Sequence, residues 1–420
     1  MEANSAVSLL LALSVIILAS RLGGSIARSL KQPRVLGELI AGVLLGPTLL
    51  NFLNWDIFHG VDLALTVGEL AELGVVILMF NIGLEVNFEE LTKMGRVGVI
   101  AGTIGALAPI ALSMPLLMMM GYAWQPALFT GVTLAATSVS ISAQVLFELG
   151  VLQTKEGNAL LATALIDDVL AILLVSLVVA VTAAGGDGGS LNASDLAVVM
   201  LRMFGYLAIA GAVTWFIVPR VVDWLSEIPM VTQAYGIPAI AIVLMLIFAW
   251  TAEEWGGVAT ITGSFLAGIG LSRTKDHIHE AITENISVIA YGFLVPIFFI
   301  NVGLGADLSG FPLVALPFAL LLLFIAIVSK VVGCGVGAHI TGFNRLESLR
   351  LGVCMISRGE VGLIVASIGL SVGVFEYDST LYAALFLVIL LTTLVTPILV
   401  RWVFTDRKQA PQLKTKTNPA

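Results

Sequence analysis

The chain has 420 residues, and its 20 Lys and Arg with 28 Asp and Glu make 11% charged side chains, where a soluble protein carries about a quarter. Hydrophobic residues reach 58% and the mean hydropathy is +1.04, more apolar surface than one water-facing core can bury. An ordinary soluble enzyme is excluded, and for a chain dissolved in lipid the net charge of -8 says less than the positions of the charges.

In chain order, apolar windows predict thirteen transmembrane helices, near 6–27, 34–53, 62–84, 97–120, 126–149, 158–184, 195–219, 232–252, 257–272, 286–305, 311–339, 348–372 and 380–404. The second and ninth are short and glycine-rich. No basic segment precedes the run from Ala6 to Ala19, so it reads as a retained span rather than a leader. Basic residues fall in alternate connections: Arg28, Lys31 and Arg34, then Lys93 and Arg96, Lys155, Arg220, Arg273 and Lys275, Arg345 and Arg350, and finally Arg401 with the tail. The intervening connections have none, which places the N-terminus outside and the C-terminus in the cytoplasm. Cys334 and Cys354 lie in apolar segments and read as buried thiols.

The sequence echoes itself. Asn81-Ile82-Gly83-Leu84 of span 3 returns as Asn301-Val302-Gly303-Leu304 of span 10, Gly131-Val132 of span 5 as Gly352-Val353 of span 12, and Ile40-Ala41-Gly42 more loosely as Leu266-Ala267-Gly268. Each echo is displaced by seven spans, and because seven is odd the second copy crosses the membrane in the opposite sense. The expected fold is therefore an all-α polytopic membrane protein built from two inverted six-span repeats joined by span 7, the architecture of secondary transporters.

Charge at the bilayer centre costs at least about 2.5 kcal/mol per group, so each buried charge needs a partner or a task. Asp167 and Asp168 in span 6, Lys330 in span 11 and Arg358 in span 12 each lie about ten residues from a basic end, a depth of about 15 Å. Neighbours on a helix point about 100° apart, so one aspartate faces Lys330 while the other faces a cavity. Thr137-Ser138-Val139-Ser140 in span 5 and Ser357-Arg358-Gly359-Glu360 in span 12 occupy equivalent places in the repeat and weaken their helices. Two broken helices crossing at the midplane leave half-helix ends to be compensated, a task suited to Arg358 and Glu360, with Glu85 a more distant candidate.

These stretches, together with Gln32-Pro33, Gly37-Glu38, Gly46-Pro47, Ser329-Lys330-Val331 and the run from Arg358 to Ile364, resemble the NapA-type bacterial sodium/proton antiporters of the monovalent cation:proton antiporter-2 family over nearly the whole chain. The resemblance implies a core transport domain, 97–184 and 311–404, moving against a panel or dimer domain, 1–96 and 232–310, with 185–231 as linker and 405–420 as cytoplasmic tail. It also implies that Asp168 binds the cation or proton, that Asp167 pairs with Lys330 in the ion-free state, and that Thr137 and Ser138 flank the Na⁺ site. A homodimer in the inner membrane, surrounded by lipid and without an attached nucleotide-binding domain, is expected; nucleic acid and cofactors are not.

Other signals carry less. Gly333, Gly335 and Gly337 fall inside a span and read as close helix packing rather than a dinucleotide loop; His277 and His279 read as a solvated face rather than a pH sensor; His59 and His339 lack the company of a metal site. The leading functional expectation is electrogenic exchange of Na⁺, and of Li⁺, for H⁺. K⁺/H⁺ antiport is the near alternative, and a sodium-coupled symporter of related fold is the alternative from a different class.

Overall fold

The computed structural model describes residues 5–58, 62–86, 88–184, 193–229, 235–306, 311–371, 373–375 and 380–405. His59, the glycine-rich loop 185–189 and the basic tail beyond 405 lie outside them. Lipid offers no hydrogen bonds to a bare backbone, so apolar runs of this length must close their amides within helices. They do so in α1 (Ser5–Ser29), α2 (Arg34–Leu45), α3 (Leu63–Glu85), the short α4 (Phe88–Lys93), α5 (Gly95–Met119), α6 (Trp124–Ala135), α7 (Val139–Glu148), α8 (Lys155–Ala184), α9 (Ala193–Phe216) and α10 (Val218–Leu225). There follow α11 (Gly236–Thr251), α12 (Thr260–Leu271), α13 (Asp276–Ile289), α14 (Val295–Leu304), α15 (Leu316–Ile340), α16 (Arg345–Cys354), α17 (Glu360–Ser371) and α18 (Thr380–Phe404).

Among the described residues, ten helical stretches are long and apolar enough to cross a membrane. Two of the predicted spans, the second and the ninth, hold only a short α-helix. Residues 34–53 form α-helix only to Leu45, and 257–272 only over Thr260–Leu271, twelve residues each. At 1.5 Å per residue such helices are about 18 Å long, short of a bilayer core. In the other direction, helix begins ten residues before the predicted window at 286, because α13 runs through a π-helical turn (Ala290–Leu294) into α14.

The helices sort into two bodies. In one, α5 packs on α6, α8 and α15, and α15 on α16 and α18. In the other, α1 and α14 embrace α2 while α3 packs on α12 and α14. The bodies meet along a seam where α2 and α3 face α7 and α18.

The second body is held by one contact made twice. A Cβ on Gly83 would stand 2.4 Å from the carbonyl of Phe265 and 3.1 Å from the Cα of Gly268, and a Cβ on Gly303 would stand 2.4 Å from the carbonyl of Leu39 and 2.7 Å from the carbonyl carbon of Gly42. These are the glycines of the sequence echo, and only hydrogen there lets two helix backbones touch. Gly333 and Gly337 of α15 are likewise closed against Ala108 and Ala101 of α5.

Gly303→Val should force α14 off α2 and destabilise the protein by about 1–3 kcal/mol, the usual cost of overpacking. Thermal unfolding in detergent, with Gly211→Ala as the control because that position has open space, should show a lower midpoint for the valine variant alone.

Candidate ion site at the crossed helices

Span 5 breaks into α6 and α7 across 136–138, and span 12 breaks into α16 and α17 across 355–359. Ser and Thr bond locally to the backbone in competition with the helical ladder, and glycine is a poor helix former, so both interruptions fall where the sequence is weakest. The two breaks are tied together by the Ser138 amide, which donates to the Ser357 carbonyl at 2.9 Å.

Each break leaves carbonyls that lipid cannot satisfy. Arg358, fully buried, donates from Nε and Nη2 to the Leu134 carbonyl at the end of α6 (3.1 and 2.9 Å), from Nη2 to Ala326 (2.8 Å) and from Nη1 to Ile356 (2.6 Å). Ser142 of α7 does the reciprocal service, donating to the Cys354 carbonyl at the end of α16 at 2.6 Å. Thr393 of α18 donates to the Arg358 carbonyl. Sequence reading missed Ser142 and Thr393, whose only signal was a hydroxyl in an apolar run. Arg358 thus neutralises the negative C-terminal end of α6. The backbone of Glu360 opens α17, but its side chain lies outside the described residues.

The adjacent aspartates part company. Asp167 receives Lys330 Nζ at 2.9 and 3.2 Å, with both side chains fully buried. Asp168 is turned the other way, toward the seam, where it shares a pocket of about 20 Å³ with Val139, the first residue of α7, and with Met79, Thr262 and Phe265 of the opposing body. Of the expected flanking residues, neither Thr137 nor Ser138 is among those lining this pocket. The Thr137 hydroxyl turns back to the Ala135 carbonyl at 3.4 Å, and Ser138 is paired with Ser140 at 3.1 Å while its side chain packs where Gly359 has no Cβ. Glu85 is remote from the crossing: it ends α3 at the basic end of the molecule, where Gln153 donates to its carbonyl at 2.8 Å.

The pocket is one of a series along α3. Below it, toward the end that carries Arg28, Lys31 and Arg401, opens a polar cavity of about 870 Å³ reaching Glu85. Above it, around Gly68, Ala71 and Glu72, lies an apolar cavity of about 250 Å³ that also touches Gly359 and Thr393.

Further buried charges escaped the sequence reading. Arg350, taken there as a loop residue, lies in α16 and pairs with Glu156 at 3.0 Å, both buried. Glu38 is buried in α2, receiving Arg34 at 2.8 Å and Ser20 at 3.0 Å. Burial was hidden because each lies within about five residues of a helix end, where a snorkelling side chain has the same pattern. His279 is half-buried, whereas His277 is exposed.

Broken helices crossed around a buried arginine, with a lysine-paired aspartate beside a second that faces the seam, form an arrangement that can be compared with known proteins. The family model described as sodium/hydrogen exchanger, transmembrane, matches residues 11–406. The chain belongs to the sodium/hydrogen exchanger family. The chain is 34% identical to the Na(+)/H(+)-K(+) antiporter GerN of Bacillus cereus, covering 95% of this chain and 97% of that one. It is 34% identical to a Na(+)/H(+) antiporter of Enterococcus hirae (95% and 98%) and 32% identical to the high-affinity Na(+)/H(+) antiporter NhaS3 of Synechocystis (97% and 93%). Among solved structures, the sodium proton antiporter MjNhaP1 of Methanocaldococcus jannaschii superposes with a TM-score of 0.69 over 96% of this chain and 97% of that one, at 16% identity, a likeness of fold.

Breaking a buried ion pair from one side strands a charge, at about 3–5 kcal/mol, whereas removing both charges is far milder. Asp167→Asn should therefore lower the unfolding midpoint in detergent markedly, and adding Lys330→Met should restore much of it. If the double variant melts no higher than the single one, the pair is not what fixes α8 against α15.

Proposed function

We propose that the protein is a secondary active antiporter that exchanges Na⁺, and also Li⁺, for H⁺, with Asp168 as the site that cation and proton share. The observation that carries this reading is the unequal placement of two adjacent carboxylates: Asp167 is consumed by Lys330, while Asp168 faces the seam between two bodies. Negative charge at that depth is costly, and either a proton or a bound cation offsets it at a carboxylate, so the two compete for Asp168. The N-terminal end of α7, whose first residue lines the same pocket, supports the anionic, cation-loaded form through its partial positive charge.

Competition at one mobile carboxylate is enough for antiport. In this reading the body of α5–α8 and α15–α18 is the moving core, the body of α1–α3 and α11–α14 is the panel that forms a homodimer in the inner membrane, and the basic end with its 870 Å³ cavity faces the cytoplasm, which puts the N-terminus outside. Movement of the core carries Asp168 from that side to the other only when its charge is neutralised. Arg358 and the Ser138 amide maintain the crossing rather than the ion, with Glu360 assigned to the same helix-end compensation.

One Na⁺ against one H⁺ at Asp168 would move no net charge. We assign a second proton to the Lys330–Asp167 pair, opened as the core cycles, which makes the exchange electrogenic at two protons per sodium. A second reading concerns the cation: GerN is named a Na(+)/H(+)-K(+) antiporter, which supports K⁺ as an additional or alternative substrate.

In proteoliposomes with an entrapped pH dye, additions of Na⁺, Li⁺ and K⁺ should each be ranked by the proton movement they drive. Asp168→Asn should abolish that movement while the protein remains folded, because an amide neither exchanges a proton nor carries charge; robust exchange by the variant would remove Asp168 from the mechanism. Sodium uptake with no proton movement would make the protein a symporter. An imposed potential acts on one extra charge with about 2.3 kcal/mol per 100 mV, which shifts the balancing sodium gradient by about fiftyfold. A reversal condition indifferent to potential would establish one-for-one exchange.

A further inference from the structure

Between the Asp168 pocket and the cytoplasmic cavity, one side chain grips both bodies. Tyr291 lies in the π-helical turn Ala290–Leu294, the kind of irregular turn that recurs where a helix serves function. Arg21 of α1 holds that turn from behind, donating to the Tyr291 carbonyl at 2.8 Å. On its own side of the seam the Tyr291 hydroxyl accepts from Asn81 Nδ2 at 3.1 Å, and Asn81 Oδ1 in turn accepts from Ser287 at 3.1 Å. Across the seam the same hydroxyl donates to Gln144 Oε1 at 3.4 Å, and its ring stacks on Phe147 with centroids 5.8 Å apart and planes 11° from parallel. Gln144 and Phe147 belong to α7, the half-helix whose first residue lines the Asp168 pocket.

The level of this clasp is fixed from both helices. On α3, Met79 lines the Asp168 pocket and Glu85 lines the large cavity, with Asn81 between them; on α7, Val139 lines the pocket while Gln144 and Phe147 line the cavity. The clasp stands on the step that separates the two spaces. It is also one-sided. The offset that carries Asn81 to Asn301 sets Ala71 opposite Tyr291, and Ala71 lines the apolar cavity at the other end of the seam. The inverted repeat therefore keeps the asparagine on both sides but the tyrosine on one.

We infer that Tyr291 is a positioning residue that latches α7 to the panel and closes Asp168 off from the cytoplasmic cavity, so that the clasp must release for a cation to pass. The inference rests on the reading of Asp168 as the exchange site.

The test is cysteine accessibility. Thr262→Cys places a nearly isosteric thiol in the Asp168 pocket, and a small cationic methanethiosulfonate is applied from the cytoplasmic side of inverted vesicles. The parent chain, whose Cys334 and Cys354 are both buried, is the blank. Tyr291→Phe keeps the stacked ring and loses both hydrogen bonds, and should speed labelling about fivefold; Tyr291→Ala loses the ring as well and should speed it by about tenfold or more. The apparent KM for cytoplasmic Na⁺ should fall in step, because the competent state is more populated. Should Tyr291→Ala not fold, Gln144→Leu combined with Phe147→Leu removes the same clasp from the core side and must accelerate labelling likewise. Labelling by Tyr291→Phe and by the double variant within about twofold of the parent would overturn the proposal. Accessibility reports the gate whichever residue carries the ion, so an active Asp168→Asn variant would defeat the exchange reading and leave this result standing.

Discussion

A guanidinium holding the cut ends of two helices is the contact on which the rest depends. Interrupting a helix in lipid exposes carbonyls that neither water nor a neighbouring strand can satisfy. Arg358 spends its donors on the Leu134, Ala326 and Ile356 carbonyls, and so joins α6, α15 and its own broken span at one point. Ser142 and the Ser138 amide answer from the other break. The backbone at the crossing is settled in this way by side chains of the protein itself.

Helix geometry explains why two adjacent aspartates differ so much. A helix sends consecutive side chains about 100° apart; here one direction leads into the core toward Lys330 and the other to the seam. The core-facing direction is locked by a buried ion pair, and the seam-facing one meets a small pocket walled by the opposing body. The seam itself can slide only if its two sides are not interlocked. Close glycine contacts lie within the second body, at Gly83 with Gly268 and Gly303 with Gly42, whereas the contacts across the seam are the smaller set between α2 or α3 and α7 or α18, with Tyr291 at their inner edge.

The inverted repeat supplies the two halves of the crossing and the two glycine contacts, yet the ends of the seam are unlike. A polar cavity of about 870 Å³ opens at the basic end and an apolar one of about 250 Å³ at the other.

The sequence by itself determined much of this. Runs of apolar residues can only be helices in lipid, basic residues mark alternate connections, and a charge deep in an apolar run is costly enough to demand a partner or a task; Asp167, Asp168, Lys330 and Arg358 were therefore legible as deep charges, as were the places where spans 5 and 12 break. Tertiary structure alone decided which hydroxyls served: Ser142 and Thr393 reach carbonyls on other spans, while Thr137 turns back on its own. It also decided that Glu38, Glu156 and Arg350 are buried, and that Tyr291 bridges the bodies. The physical reason is the reach of the forces involved. The cost of charge in hydrocarbon is a property of one residue and its depth, which a linear pattern records; a hydrogen bond depends on two groups coming within about 3 Å, and for residues hundreds of positions apart that distance exists only once the helices have packed.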